Sequence, residues 1–317
     1  MWSFSEIVSG LVQPVNWRYR ILQALLNVRD WLLAQLIFVF LKTLRLIPMD
    51  SAARVFERFA RWLGPKTSRH KVALENLERA FPEKSIDERE QIASDSWAQT
   101  ARTVLEYGYL DKIFDLDENN LGAGRIEVKN AEQFIKLRDD GLPAIIFTGH
   151  IANFELLPMA AAKFGLEIQS LFRTPNNKYA AARIAAARKQ IAHNLVASGQ
   201  GASFQLMSAL DSGVHVGVLV DQKFLRGINI PFFGHDAPTN PLLAKLARRY
   251  ECPVHGARSV RLPNGRFRLE ITDELVLPRT ADGDIDIRGT TEMIGRVIED
   301  WVREYPEQWL WIHRRWG

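Results

Sequence analysis

Apolar and polar positions change rhythm twice along the chain. Residues 31–41 (WLLAQLIFVFL) are apolar apart from Gln35, and Lys42 and Arg45 then interrupt the run. From 51 to 63 (SAARVFERFARWL) apolar positions recur at the three-and-four spacing of a helix, with Ser51 the expected N-cap and Gly64-Pro65 the stop. Residues 67–80 and 86–110 read the same way, separated by FPEKS. Beyond about residue 125 short β-rich runs take over: PAIIFTGH (143–150), LEIQSLFR (166–173), HVGVLVDQ (215–222), INIPFF (228–233), PVHGARSVRL (253–262) and RFRLEITDEL (266–275). Helical stretches fall between several of them, at 130–139, 153–163, 177–191, 203–211, 239–250 and 288–304. Strands alternating with helices predict an α/β fold with a largely parallel, mixed sheet flanked by helices. LPNGR (262–266) is the tight turn expected to make the last two strands antiparallel. The predicted organisation is a helical, membrane-associated segment over 1–50 and an enzymatic unit over 51–317. The latter divides into a helical lead-in (51–124) and an α/β core (125–317).

With 317 residues, 47% apolar and 25% charged, the chain has the composition of a globular protein with a sizeable core. Its net charge of +4 is unevenly placed: residues 1–70 hold ten Lys/Arg and four acids, so the remainder sums to −2. A basic front end suits anionic lipid headgroups or an acidic partner. Nucleic acid is set aside, because no zinc-finger spacing, RNP-type motif or basic zipper helix appears. The apolar run within 31–48 is shorter than the ~20 residues of a full span, which favours a buried core helix. The surrounding basic charge, with Trp2, Trp17, Trp31 and Trp62, favours membrane association, spanning or in-plane. The lone Cys252 excludes an internal disulfide framework and reads as a small buried residue opening a strand, not a nucleophile. DGDID (282–286) lacks the rest of a calcium loop, GAGRIE (122–127) fails the dinucleotide fingerprint, and the histidines are too dispersed for a short metal motif.

In open α/β sheets, ligands gather at the carboxyl ends of the strands, where His150, Arg173 and Asp221 are expected to emerge. PAIIFTGH is a continuous apolar run, as for a central strand buried on both faces; Gly149 allows a tight turn, and Asn153 is an N-cap candidate for the next helix. Within one helix, five residues is about 500° of rotation, so His150 and Glu155 meet only if His150 precedes the helix and Glu155 opens it. In that geometry Glu155 accepts from one imidazole nitrogen while the other takes a proton from a hydroxyl. A structural His-Glu ion pair is the alternative. No Ser occupies a G-x-S-x-G elbow, so the nucleophile is expected to be the substrate's hydroxyl.

GHIANFE (149–155) resembles the H-x4-D/E signature of glycerolipid-type acyltransferases, in the Gly-His-x-x-Asn, glutamate form of the bacterial lipid A late acyltransferases. LFRTPNN (171–177), VGVLVDQK (216–223), NIPFFGHDAPTNP (229–241) and PEQWLWIHRRW (306–316) follow in the family's order. Departures are Phe172 and Thr174, where tyrosine and proline are commoner, and Asn-Pro in HDAPTNP where a glycine is frequent. The resemblance implies that His150 deprotonates a hydroxyl and Glu155 orients it. Arg173 becomes a candidate for oxyanion or phosphate binding; Asp221, Gln222 and Asn153 are further substrate-site candidates; NIPFFG is assigned to the acyl-chain channel, with a core strand as the alternative. It implies acyl carrier protein as donor, a lipid A precursor as acceptor, membrane phospholipid as surroundings, and no cofactor or metal. The place of action would be the cytoplasmic face of a bacterial inner membrane. Rival readings are acylation of a lysophospholipid or phosphatidylinositol mannoside, or a non-catalytic membrane or carrier-protein binding module. WLWIHRRWG suits either a membrane-facing belt or the closing strand and basic cap of the fold.

Overall fold

The computed structural model describes residues 17–115, 124–172, 177, 179, 195–197, 199 and 201–316. The apolar run at 31–41 belongs to a longer helix, α1 (Trp17–Leu44). Its apolar stretch continues back past Arg29 and Asp30, which pair with each other (Nη2–Oδ1 2.8 Å), to Ile21. Ile21–Leu44 is therefore long and apolar enough to cross a membrane: 24 residues cover about 36 Å, against about 30 Å of hydrocarbon. This helix is mostly exposed, unlike the buried core helix that the shorter run favoured.

Three helices of more than two turns follow, α2 (Met49–Leu63), α3 (Ser68–Ala80) and α4 (Ile86–Glu106), and then a single helical turn at Leu110–Ile113. Ser51 does not cap α2. Pro48 holds the N-cap position, and Ser51, inside the first turn, accepts a hydrogen bond from Arg54 (3.0 Å). Gly64 ends α2 beside Trp97, where a Cβ would sit 2.4 Å from the ring. FPEKS breaks the chain because Ser85 opens α4 with a capping box, exchanging backbone-to-side-chain bonds with Glu88 (3.2 and 2.7 Å).

The strands are β1 (Ile126–Lys129), β2 (Ile145–Thr148), β3 (Ile168–Phe172), β4 (Leu195–Ala197), β5 (His215–Leu219), β6 (Ile228–Phe232), β7 (His235–Thr239), β8 (Val254–Arg261) and β9 (Phe267–Ile271). Seven form one sheet in the order β1-β9-β8-β2-β5-β3-β4, parallel throughout except for the β8–β9 hairpin over LPNGR. INIPFF does not join it: β6 pairs with β7 in a separate hairpin whose two-residue turn sets Phe233 and Gly234 at φ 51° and 73°. Helices α5 (Ala131–Asp139), α6 (Leu156–Lys163), α7 (Ala202–Asp211), α8 (Leu242–Tyr250) and α9 (Ile287–Glu304) complete the core. Most of the helix expected at 177–191 lies outside the described residues.

Side-chain alternation gives the sheet two different faces. On one, Ile145, Phe147, Val216 and Val254 pack with Leu206, Leu243, Leu246, Ile298 and Trp301 from α7, α8 and α9. Phe147 stacks on Trp301 at 5.9 Å, and a Cβ at Gly256 would lie 2.9 Å from both rings. The other face, under α5 and α6, encloses a cavity.

The C-terminal tail is interior, not a belt. Trp309, Trp311 and Trp316 are buried, Asn76 donates to the carbonyls of Trp311 (2.8 Å) and His313 (2.7 Å), and Ser96 donates to that of Trp309 (2.8 Å). Phe232 and Phe233 pack against Trp316, so NIPFFG belongs to this core and not to an acyl channel.

Candidate active site

Strands β2 and β5 are parallel neighbours with Thr148 opposite Leu219. Two residues past those partners, on each strand, stand His150 and Asp221. The ladder itself therefore brings them together. One carboxylate oxygen of Asp221 meets imidazole Nδ1 at 2.7 Å, and the other accepts the backbone N–H of His150, also at 2.7 Å. Trp309 donates its indole N–H to that second oxygen at 2.8 Å. The hydrogen bond expected from Glu155 is thus made by Asp221, which the sequence offered only as a substrate-site candidate.

Burial on its own would raise the Asp221 pKa, but the charge and hydrogen bonds of His150, with the Trp309 N–H, hold it at about 2. For His150 burial pulls downward, and the Asp221 charge and bond, with the Glu155 charge, outweigh it and lift the imidazole above its ordinary value. An ionised carboxylate only accepts, so Nδ1 carries a proton and Nε2 holds the lone pair of the neutral ring. The Gln222 amide nitrogen donates to that lone pair at 3.1 Å from an exposed position.

The turn holding His150 is anchored from below. Ala152 lies in the left-handed region (φ 46°), which costs a non-glycine residue about 1 kcal/mol or more, so its surroundings must fix it. Its N–H donates to Gln308 (2.9 Å) and its carbonyl accepts from Thr103 (3.3 Å). Asn153 does not cap α6 with its side chain: fully buried, it donates to Glu106 (3.0 Å). Glu106, also fully buried, pairs with Arg261 and, at 3.2 Å, with Arg102. Glu106 and Arg261 were not foreseen, because nothing in their local sequence marks them as partners across 155 residues.

Glu155 takes a hydrogen bond from Tyr107 (2.7 Å) and lines the cavity with Phe154, whose ring meets His150 edge-on at 5.0 Å. This cavity, about 350 Å³, runs across the sheet face over Thr148, Ile146, Gly217 and Ile271, beneath Phe134, Leu157 and Phe164. Its walls are overwhelmingly apolar, as a hydrocarbon chain requires. Arg173 lies outside the described residues. Among the described residues, no group of three or more His, Cys, Asp or Glu is placed to hold a metal ion.

The molecule is thus an α/β protein with a carboxylate-tethered histidine at the carboxyl ends of two central strands, beside an apolar cavity. The chain belongs to the bacterial lipid A biosynthesis acyltransferase family, whose model matches residues 20–317. Two curated relatives are similar to it over 263 residues at 26% identity, covering 78% of each chain. One is the lipid A biosynthesis palmitoleoyltransferase of Escherichia coli (strain K12), the other the lipid A biosynthesis acyltransferase of Shigella flexneri.

Proposed function

We propose that this chain is an O-acyltransferase that moves a fatty acyl group from the thioester of acyl carrier protein to a hydroxyl of a lipid A precursor, at the cytoplasmic face of a bacterial inner membrane. The observation that carries this reading is the His150–Asp221 pair, with Nε2 directed outward, next to an apolar cavity whose wall includes Phe154 and Glu155. The acyl chain occupies the cavity and presents its thioester carbonyl at the mouth. Nε2 takes the acceptor hydroxyl proton as the oxygen attacks the carbonyl carbon. Asp221 holds the ring in the required tautomer and stabilises the imidazolium; Glu155 adds a second negative charge. Collapse of the tetrahedral intermediate breaks the C–S bond, and the imidazolium returns its proton to the departing thiolate. The products are the ester and free carrier thiol. Arg173, from the family's motif, remains the candidate for binding the oxyanion or a phosphate.

The test is mass spectrometry of a tetra-acylated lipid A precursor incubated with purified protein and a series of acyl carrier protein donors. The expected result is the mass gain of a single acyl chain, reduced by about 10²–10⁴-fold in His150→Ala. No gain with any donor, or release of fatty acid to water at the same rate without acceptor, would sink the proposal.

A further inference from the structure

Helix α2 is built inside out. The residues it buries are mostly small: Ala52, Ala53 and Ala60, with Met49 at its start. Three of its large apolar residues face outward, with Val55 64%, Phe59 55% and Trp62 60% exposed, while Phe56 is half-buried against the core. A helix packed on a water-soluble body has the opposite arrangement. Spacings of four and three place Val55, Phe59 and Trp62 on one stripe, and the rings of Phe59 and Trp62 lie 5.8 Å apart. Beside it, at the same spacings, runs a basic stripe of Arg54, Arg58 and Arg61. Lys66, just past the helix, sets its ammonium 3.4 Å from the centre of the Trp62 ring.

The acids of α2 are engaged elsewhere: Asp50 with Arg125 (3.1 Å) and Glu57 with Arg102 (2.9 Å). Arg61 is held by Asp95 (2.8 Å), which leaves Arg54, Arg58 and Lys66 as the cations flanking the apolar stripe. This stripe continues the surface of α1. Leu46 and Ile47 in the linker are exposed, and Phe40 of α1 stacks on Phe56 of α2 at 5.8 Å.

We propose that α2 lies in the plane of an anionic bilayer as a second membrane contact beside α1. Val55, Phe59 and Trp62 enter the acyl-chain boundary, while Arg54, Arg58 and Lys66 reach the lipid phosphates. A wide apolar stripe bordered by long cations is the geometry of an interfacial helix, and the charge selects a lipid surface over a neutral apolar partner. The contact also sets the height of the histidine turn. Glu57 binds Arg102, Arg102 binds Glu106, and Glu106 holds Asn153.

The test uses the full-length protein in vesicles of phosphatidylethanolamine and phosphatidylglycerol. A nitroxide is attached to a single cysteine replacing Val55, Phe59, Trp62 or Arg58 in turn. Cys252 is buried and burial pushes its thiol up to about 11, so it stays unlabelled, which the parent protein checks directly. Collisions with oxygen and with a water-soluble nickel chelate are compared by electron paramagnetic resonance. Positions 55, 59 and 62 are expected to lose chelate collisions and gain oxygen collisions, with position 58 reversed. Chelate access at all four positions would overturn the proposal. So would label–label broadening that disappears on dilution with unlabelled protein, because a second copy would then be covering the stripe.

Discussion

The two faces of the central sheet are made from the same strands and differ in what they leave unfilled. On the α9 side Phe147, Trp301 and Gly256 are so closely fitted that one added carbon clashes. On the α5 and α6 side a cavity of about 350 Å³ remains, walled by residues that are just as apolar. Among the described residues a space of that size is left on this face of the sheet, while the α9 side is filled by close-packed rings. Stability and ligand capacity are thus assigned to opposite sides of one ladder. His150 and Asp221 stand at its rim, beyond the last residues paired between β2 and β5.

This division can be broken at several points. At the rim, Asp221→Asn removes the charge and leaves one acceptor oxygen for three N–H groups. With that oxygen on the His150 backbone and Trp309 N–H groups, an NH2 donor faces Nδ1 and favours the wrong tautomer of His150. Turnover should fall by about 10²–10⁴-fold in steady-state assays. The sign of the pH effect follows from the direction of the shift. Asp221 lifts the imidazole, and the base works only when neutral, so the parent loses rate as pH drops through a raised pKa. Without Asp221 that acidic limb should move to lower pH. On the tight face, Trp301→Ala should destabilise by about 3–5 kcal/mol in urea unfolding, without altering the preferred acyl length. On the open face, Ala160→Phe should cost no more than about 1–3 kcal/mol yet shorten the preferred acyl chain, read from product masses. Each methylene displaced forfeits about 0.8 kcal/mol of burial. The smallest effect is expected for Glu155→Gln. It acts on the imidazole through charge alone, so the acidic limb should move in the same direction as with Asp221→Asn, but less far.

The sequence made the alternating half of the molecule legible because apolar runs there coincide with strands. It also marked His150, since a glycine and a histidine closing a buried run point to one strand end. It pointed to Glu155 as the partner of the imidazole because Glu155 is near in sequence, whereas Asp221, which bonds Nδ1, is near only through the pairing of β2 with β5. That adjacency needs the strand order, which no local pattern encodes. The short strands β1, β4 and β7 escaped because three to five residues are too few to carry a periodic signal, even where β1 (IEVK) alternates. Asn153 read as a cap because its residue type favours one. Its actual partner, Glu106, is supplied by a helix 47 residues earlier. The C-terminal tryptophans read equally as belt or interior, and only their packing against α3 and α4 separates the two.

The register of β2 against β5 also bears on how such a protein can diversify. The base and its carboxylate are 71 positions apart in the chain, yet their spacing is set by the ladder and not by the connection between them. Outside the strands and the turn at 151–155, which anchors His150, that connection is a tether. Substitutions or insertions in its loops leave the register of β2 against β5 untouched, so related chains can vary around this pair without rebuilding it.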